Sequence, residues 1–312
     1  MFHRSQSLTE SAAMASAHRA RVVVITRTKN RPVMLRRAMA SVSHQSFRDF
    51  TWVIVNDGGD AEEVEAIATS ARQEQLEVQT IHNAQSLGME AASNCAIRTS
   101  DSELLVIHDD DDTWDPQFLA ATAAFLDTES AYGGVVTHTN RVDEVIEGDL
   151  IRVIRTTPWN HDLMSVYLIE MAQVNSFPPI SFLFRRSVLA EIGMFDESLP
   201  VLGDWDFHLR FLAARDIGVV PRPLAFYHHR ETSTGVYGNS LYDGISKHIR
   251  YDALLRNRLL RRDLEEGRLG LGVLVNLART HNGLSMLEML MHTVRRIGMK
   301  TGLLKLGRWL AR

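Results

Sequence analysis

Between residues 20 and 130 the chain alternates short apolar runs of β type with segments of helical spacing, and this alternation restricts the fold more than any other feature. The predicted strands are Arg21–Thr26, Phe50–Val55, Leu76–Ile81 and Leu104–Ile107, and the predicted helices are Pro32–Val42, Ala61–Gln73, Leu87–Arg98 and Phe118–Asp127. Strands that alternate with helices of this length form right-handed βαβ units. The sequence therefore predicts an α/β fold, with a mostly parallel central sheet flanked by helices.

Polar segments follow three of these strands. They are Thr26–Asn30, Asn56–Gly59 and His108–Asp112. In open α/β sheets ligands bind beyond the carboxyl ends of the strands, near the point where strand order reverses. We therefore expect the three segments to converge on one crevice.

Four consecutive aspartates, Asp109–Asp112, lie directly after a strand that reads as buried. Such carboxylates repel one another and raise each other's pKa unless a cation sits among them. Oxygen ligands at this density suit Mg²⁺ or Mn²⁺, with coordination positions left for a phosphate-bearing substrate. Capping of the next helix by Asp112 or Thr113 is the simpler alternative, although a cap uses only one carboxylate. An EF-hand is disfavoured because its glycine and final glutamate are missing.

The pattern changes after Gly133. Further strands are predicted at 134–139, 150–154 and 180–184, and further helices at 187–192 and 203–212, the last with an acidic first turn. Residues from about 239 onward are rich in helical patterns. We expect a disordered extension over 1–19, one α/β domain over 20–238 and a helical C-terminal region over 239–312.

The overall composition excludes several classes of protein. A formal charge of −4 argues against a nucleic-acid binder, which normally carries a basic excess. Cys95 is the only cysteine, so an intramolecular disulfide cannot form, as is usual in a reducing cytosol. The longest apolar stretch, 270–278, is far shorter than the roughly 18 residues that a membrane span needs. We expect a cytoplasmic protein.

Four sequence motifs, in this order, resemble the family 2, GT-A-type glycosyltransferases. They are Val24–Arg31, Val55–Gly59, the aspartate run with Trp114 and Pro116, and Gly193–Glu197 with Gly203–Asp206. The resemblance covers residues 21 to about 235. It implies a GT-A Rossmann-like domain that moves a sugar from a nucleotide diphosphate to a saccharide or lipid-linked acceptor, as in surface polysaccharide synthesis. The chain departs from the usual family pattern at Arg27, Asn56 and Ser93.

The resemblance also implies roles for individual residues of the donor site. Asp109 and Asp111 are the two aspartates of the D-x-D motif, which binds Mn²⁺ or Mg²⁺. Either His228 or His229 is a further metal or diphosphate ligand, unless both belong to a strand end that faces solvent. Departure of a nucleoside diphosphate builds negative charge that such a cation stabilises. The residues expected to contact the nucleotide sugar are Thr28, Asp57, Gly88, Asn94, Asp109, Asp110 and Arg230.

Asp204 is the predicted general base of an inverting transfer, because that reaction needs a carboxylate to take the proton of the acceptor hydroxyl. Asp206 is the alternative, but it lies roughly 200° further round the same helix, so the two acids cannot share one task. Both acids could instead complement the helix dipole. Trp114 lines the sugar site in one interpretation and belongs to the core in the other.

Other functions and partners remain open at this point. A nucleotidyltransferase also uses an acidic metal site, but it normally has a glycine-rich loop after the first strand, and residues 26–31 contain no glycine. A non-catalytic module that binds nucleotides or sugars is the third option. The tail 292–312 is basic and amphipathic, which suits either peripheral contact with the inner face of the membrane or packing on its own domain or on a second subunit of a homo-oligomer.

Overall fold

A computed structural model describes residues 19–230 and 245–279. The strands are β1 Val22–Thr28, β2 Phe50–Asp57, β3 Glu77–Asn83, β4 Leu104–Ile107, β5 Thr113–Trp114, β6 Gly134–Glu147, β7 Leu150–Pro158, β8 Phe182–Arg185 and β9 Ile217–His229. The helices are α1 Pro32–Ser43, α2 Ala61–Gln73, α3 Met89–Thr99, α4 Phe118–Thr128, α5 Leu168–Gln173, α6 Leu189–Ile192, α7 Gly203–Ala214 and α8 Ile245–Glu266.

These strands form one sheet in the order β3-β2-β1-β4-β8-β6-β9-β5, and β7 pairs with the outer part of β6. Strands β1 to β4 are parallel, which confirms the α/β fold predicted from the alternating pattern. Chain order reverses at β1, which lies between β2 and β4. Because parallel strands end at the same edge of a sheet, the residues that follow β1, β2 and β4 meet there.

The second half of the sheet brings a later part of the chain to the same edge. Strand β8 is antiparallel to β4 and β6, and β9 runs parallel to β6. The short β5, which follows the aspartate run, is antiparallel to β9, with Thr113 opposite Phe226. This pairing places the end of β9, and Arg230 after it, beside the aspartates.

Both faces of the central strands are buried, which explains why these strands read as continuous apolar runs. On β1, Val23 and Ile25 pack with α3, α5 and α7, whereas Val22 and Val24 pack with α1, α2 and α4. The alternation follows from the two-residue period of a strand. One hydrophobic layer therefore packs on each face of the central strands.

Trp114 belongs to the core. Its indole N–H donates to the Ile180 carbonyl at 2.7 Å, and its ring stacks on Phe118 with the centroids 4.4 Å apart. The helix that follows starts after Gln117 without a hydrogen bond from a capping side chain, and the Asp115 carboxylate accepts from the Gln117 amide at 2.9 Å in the preceding turn. Asp112 therefore does not serve as that cap.

Within the described ranges 19–230 and 245–279, none of the helices combines the length and apolar content that crossing a bilayer requires. The predicted helical character after 239 is seen in α8 and in a helix over 271–279. The N-terminal segment 1–18 and the basic tail 292–312 lie outside the described residues. The domain boundaries and the contacts of that tail stay predictions.

Replacement of Phe207 by alanine should strongly destabilise the fold, because this fully buried ring anchors α7 to the sheet. It stacks on Phe195 with the centroids 4.3 Å apart and lies 5.2 Å from Phe184. Loss of a buried phenylalanine costs about 3–5 kcal/mol. Urea unfolding of Phe207→Ala should show this loss, while Leu264→Ala, at a side chain that is 72% exposed, should change little. A loss below about 1 kcal/mol would show that α7 is held by other contacts.

Candidate active site

A cavity of about 630 Å³ opens at the carboxyl ends of β1, β2 and β4. A volume of this size is typical of sites for small molecules. It brings together most of the predicted donor-site residues, because Thr28, Asp57, Gly88 and the whole run Asp109–Asp112 line it. Basic and aromatic side chains that had no predicted role also line it, namely Arg27, Lys29, Arg31 and Tyr227.

The aspartate run is paired with arginines of the same chain. Arg27 at the end of β1 pairs with Asp109, its Nε 3.0 Å from Oδ1. Asp110 accepts from the Thr28 hydroxyl at 2.7 Å and pairs with Arg31 at 3.1 Å. The repulsion between neighbouring carboxylates is therefore offset by protein cations, so it does not by itself require a metal.

Asp111 belongs to a buried network of charged side chains. Arg230 joins Asp111 to Glu144 on β6, with Nη1 2.8 Å from Oε1 of Glu144. Arg37 of α1 donates to the Asp111 carbonyl at 2.5 Å and pairs with Glu144 at 2.7 Å. Glu144 also accepts from Nδ1 of His228 at 2.7 Å. Burial raises the pKa of Glu144, but the His228 hydrogen bond and the charges of His228 and Arg37 outweigh it and bring the pKa to about 2.

The carboxyls of the run have different proton affinities. Burial raises the pKa of Asp110 to about 6, although Arg31 acts in the other direction. Burial and the Asp111 charge raise the pKa of Asp112 well above its usual value. Burial also acts on Asp111, but the charges of Arg230, Arg31 and Arg37 together outweigh it and lower the pKa. Asp111 is thus the member of this trio that most firmly keeps its negative charge.

The predicted metal ligands are not assembled around one point. The described residues contain no group of three or more His, Cys, Asp or Glu side chains placed to hold a metal ion. His228 is engaged with Glu144 and Thr113, and His229 packs edge-on against Tyr227. A cation held by one or two carboxylates plus substrate phosphates still fits, because Mg²⁺ is commonly bound in that way and Asp111 lines the cavity.

Asp57 lines the cavity, and its carboxylate organises the loop before α3. It accepts from Asn83 at 2.9 Å, from the Ser86 hydroxyl at 2.7 Å, and from the amides of Leu87 at 2.9 Å and Gly88 at 3.0 Å. Gly88 has φ +98°, a conformation that favours glycine. Asp57 therefore shapes the wall of the cavity, and its contact with a nucleobase stays a prediction.

Asn94 is placed elsewhere. Its amide nitrogen donates to the Phe195 carbonyl at 2.9 Å, and its oxygen accepts from the Phe195 amide at 3.1 Å. The same nitrogen donates to Glu197 at 2.9 Å. The side chain is buried and does not line the cavity. Its hydrogen bonds hold the Gly193–Glu197 turn against α3.

Asp204 lies in the first turn of α7 and accepts from the Asn175 amide at 2.7 Å. The Asn175 oxygen is 3.0 Å from Nδ1 of His208, whose pKa burial lowers to about 3. Burial raises the pKa of Asp204, while the neighbouring charges of Arg27 and Asp109 act in opposite directions. The carboxylate therefore lies within electrostatic range of the aspartate run and is oriented by an amide.

Asp206 points away from that site. It is buried and pairs with Arg210 at 2.8 Å, on the side of α7 that also faces Arg258. The side chains of Asp204 and Asp206 thus contact different parts of the structure, in agreement with their angular separation on the helix.

Comparison with known proteins identifies the family. The profile described as "Glycosyl transferase family 2" matches residues 23–193, which is more than half of the chain. The chain belongs to glycosyl transferase family 2. This membership makes it a transferase and favours the glycosyltransferase interpretation over a nucleotidyltransferase.

Two relatives carry glycosyltransferase names. Uncharacterized glycosyltransferase YwdF of Bacillus subtilis (strain 168) is 25% identical over 207 residues, which are 66% of this chain and 72% of the relative. Uncharacterized glycosyltransferase MJ1057 of Methanocaldococcus jannaschii is 23% identical over 193 residues, which are 62% of this chain and 64% of the relative. The chain thus spans somewhat less than two thirds of the second relative.

Solved glycosyltransferases share the fold. S. aureus TarS 1–349 in complex with UDP-GlcNAc aligns with a TM-score of 0.55 at 19% identity, over 68% of this chain and 60% of TarS 1–349. Mannosyltransferase PcManGT from Pyrobaculum calidifontis, in complex with GDP-Man and Mn²⁺, aligns with a TM-score of 0.56 at 15% identity, over 91% of this chain and 81% of that structure. These alignments confirm the GT-A-like fold of the family 2 domain.

Sequence reasoning missed several charged residues of this glycosyltransferase. Arg31 and Arg37 have a local signal, since they follow the first strand near the expected crevice. Glu144 has none, because its position near the end of β6 becomes informative only when β6 pairs with β9, whose last pair is Asp143 with His229. Glu90 also lacks a signal, although it lies 3.5 Å from Arg27 and packs against the backbone of Gly203.

Replacement of Glu90 by glutamine should reduce the loss of stability at high pH. Burial raises the pKa of Glu90 from 4.5 to about 7, despite the Arg27 charge. At pH values between 4.5 and 7 the folded state therefore binds a proton that the unfolded state does not. The contribution of this proton to the free energy of unfolding is fully present below pH 4.5 and is lost as the pH rises through 7. Between pH 5 and 8 the wild type should lose on the order of 2 kcal/mol more than Glu90→Gln in urea unfolding. The exposed control Glu74→Gln should follow the wild type, and equal slopes for all three proteins would contradict the shift.

Proposed function

We propose that this glycosyltransferase moves a sugar from a nucleotide diphosphate to a hydroxyl of a saccharide or lipid-linked acceptor, with inversion at the anomeric carbon. One observation carries the proposal. The cavity at the sheet edge joins basic residues and the aspartate run, and its Arg27 lies 3.5 Å from Glu90, which packs against Gly203 next to Asp204. An anion-binding site and a candidate base therefore adjoin each other.

The donor side of the cavity suits a diphosphate. Arg27, Lys29 and Arg31 line it, and guanidinium groups bind phosphate oxygens through charge-assisted hydrogen bonds. The solved relatives give further support, because they are complexes with UDP-GlcNAc in TarS and with GDP-Man in PcManGT. Thr28, Asp57 and Gly88 line the same cavity and are the proposed contacts to the nucleoside and the phosphates.

A divalent cation, Mn²⁺ or Mg²⁺, is part of the proposal. Asp111 would hold it, with Asp109 beside it, and the ion would stabilise the negative charge of the departing nucleoside diphosphate. The Mn²⁺ in the PcManGT complex supports this assignment. Arg27 and Arg230 add positive charge at the same two carboxylates.

Asp204 is the proposed general base. As the acceptor oxygen bonds to the anomeric carbon and the bond to the diphosphate breaks, the hydroxyl proton passes to the Asp204 carboxylate. The amide of Asn175 orients this carboxylate, since it donates to Oδ2 at 2.7 Å. The raised pKa of Asp204 makes it a stronger base than an exposed aspartate.

A thermal-shift screen should identify the donor and its metal requirement together. A nucleoside diphosphate of one base should stabilise the protein with Mn²⁺ present, by about 2.7 kcal/mol at a hundredfold excess over Kd. Mn²⁺ alone should give no shift, because the described residues form no cluster of three metal-ligating side chains.

The controls of this screen separate the parts of the proposal. Nucleoside monophosphates should bind more weakly, since they lack the second phosphate. Stabilisation by Mn²⁺ without nucleotide would indicate a preformed metal site. An EDTA-insensitive shift would mean that the arginines bind the diphosphate unaided. Indifference to every nucleotide would overturn the donor assignment.

Substitution of the base should separate chemistry from binding. Asp204→Asn should leave the nucleotide-induced thermal shift intact and lower turnover by at least about a hundredfold, because the proton acceptor is removed. Turnover is measured as release of the nucleoside diphosphate from the donor that the screen identifies. Asp206→Asn is the matched control in the same helix and should keep turnover. Normal turnover by Asp204→Asn would place the base at another residue.

A further inference from the structure

Exposed apolar side chains are concentrated in one part of the described structure. Eight of its fifteen exposed large hydrophobic residues fall between residues 150 and 174, and these are Leu150, Val153, Ile154, Trp159, Met164, Tyr167, Ile169 and Val174. Such concentration on a protein surface usually marks a binding site. The segment begins on β7 and continues through α5.

Part of this surface forms a groove of about 490 Å³, separate from the donor cavity. Its lining combines aromatic, aliphatic, amide and acidic side chains and includes Trp159, Asn160, Asp162, Met164, Tyr167 and Glu170. Among the described residues, those that line it include no lysine, arginine or histidine. The donor cavity, in contrast, is lined by Arg27, Lys29 and Arg31.

The groove adjoins the proposed reaction centre. The Trp159 ring at its edge lies 5.8 Å from the ring of Tyr227, which lines the donor cavity. Val174 and Ser176 line the groove, and Asn175 between them donates to the Asp204 carboxylate. A ligand in the groove therefore lies beside both the donor cavity and the proposed base.

We propose that this groove binds an uncharged saccharide portion of the acceptor, with a sugar ring packed on Trp159. The inference rests on the proposed transfer reaction and names the chemical class of its acceptor. A sugar ring offers a face of C–H groups that packs on an aromatic ring, and its hydroxyls bond to carboxylates and amides at the rim. Asp162, Glu170 and Asn160 supply such groups in the groove.

The charge of the lining decides between an uncharged and an anionic occupant. A phosphate-bearing acceptor segment would face Asp162 and Glu170, and the described part of the lining offers no compensating cation, which is unfavourable. An uncharged saccharide has no such penalty. The two sites thus divide the substrates by charge, with the diphosphate in the arginine-lined cavity and the acceptor sugar in the groove.

A glycan array tests this proposal, with uncharged oligosaccharides and their phosphorylated or sulfated counterparts as probes. The full-length wild type should retain uncharged glycans, and Trp159→Ala should lose several-fold to about tenfold in affinity, the size expected for one aromatic contact. Trp159→Phe should recover most of that affinity because it keeps an aromatic face. Leu264→Ala, at an exposed apolar residue outside the groove, should bind like the wild type.

Two further measurements make the outcome unambiguous. Binding of an uncharged ligand should change little between low and high salt, whereas binding of an anion should be salt-dependent. Each variant should also keep the nucleotide-induced thermal shift and the melting temperature of the wild type, which shows that the fold and the donor cavity are intact.

Several results would overturn the inference. They are retention of anionic glycans alone, retention of no glycan, an unchanged affinity in Trp159→Ala, a wild-type dimer that Trp159→Ala converts to a monomer, or vesicle binding that this variant loses. Failure of the proposed function is recognised separately, because then no nucleotide would stabilise even the wild type.

Discussion

The site depends on the pairing of one acidic run with arginines that come from distant parts of the chain. Asp109–Asp112 follow β4, whereas their partners come from the end of β1, from the start of α1 and from the end of β9. Each ion pair is buried or half-buried, so the removal of one partner would leave an uncompensated charge. The aspartates of the run therefore need the strand order of this sheet, because that order supplies their arginine partners. A sheet that places β1, β4 and β9 at one edge brings arginines to Asp109, Asp110 and Asp111, whereas the Asp112 carboxylate accepts from the His228 backbone amide at 2.9 Å.

This arrangement also shapes the chemistry that the cavity can support. Arginines already bonded to carboxylates are held in place, and Arg27 and Arg31 contribute positive charge to the lining of the cavity. Glu144 adds a second layer, because it holds both Arg37 and Arg230 beneath Asp111. This arrangement suits the proposed binding of phosphate oxygens, and Asp204 on α7, the proposed base, lies within electrostatic range of the charged cluster.

Much of the fold was predictable from local pattern. The βαβ alternation, the strand ends as the location of the site, and the opposed directions of Asp204 and Asp206 follow from strand and helix periodicity. The roles of Asn94 and Asp57 show the limit of this reasoning. Asn94 bonds to Phe195, about a hundred residues later, and Asp57 bonds to the loop before α3, so a motif position does not reveal which partners a side chain meets.

The sequence by itself determined the fold class, the acidic run and its place at a strand end, because these depend on contacts between residues near in sequence and on the period of apolar side chains. Tertiary structure alone decided which charges meet. The pairing of β5 with β9 brings Arg230 to Asp111, and the pairing of β6 with β9 brings Glu144 beneath both. Electrostatic energy falls off with distance in space, irrespective of separation along the chain, so the balance of the site appears only once the sheet has formed.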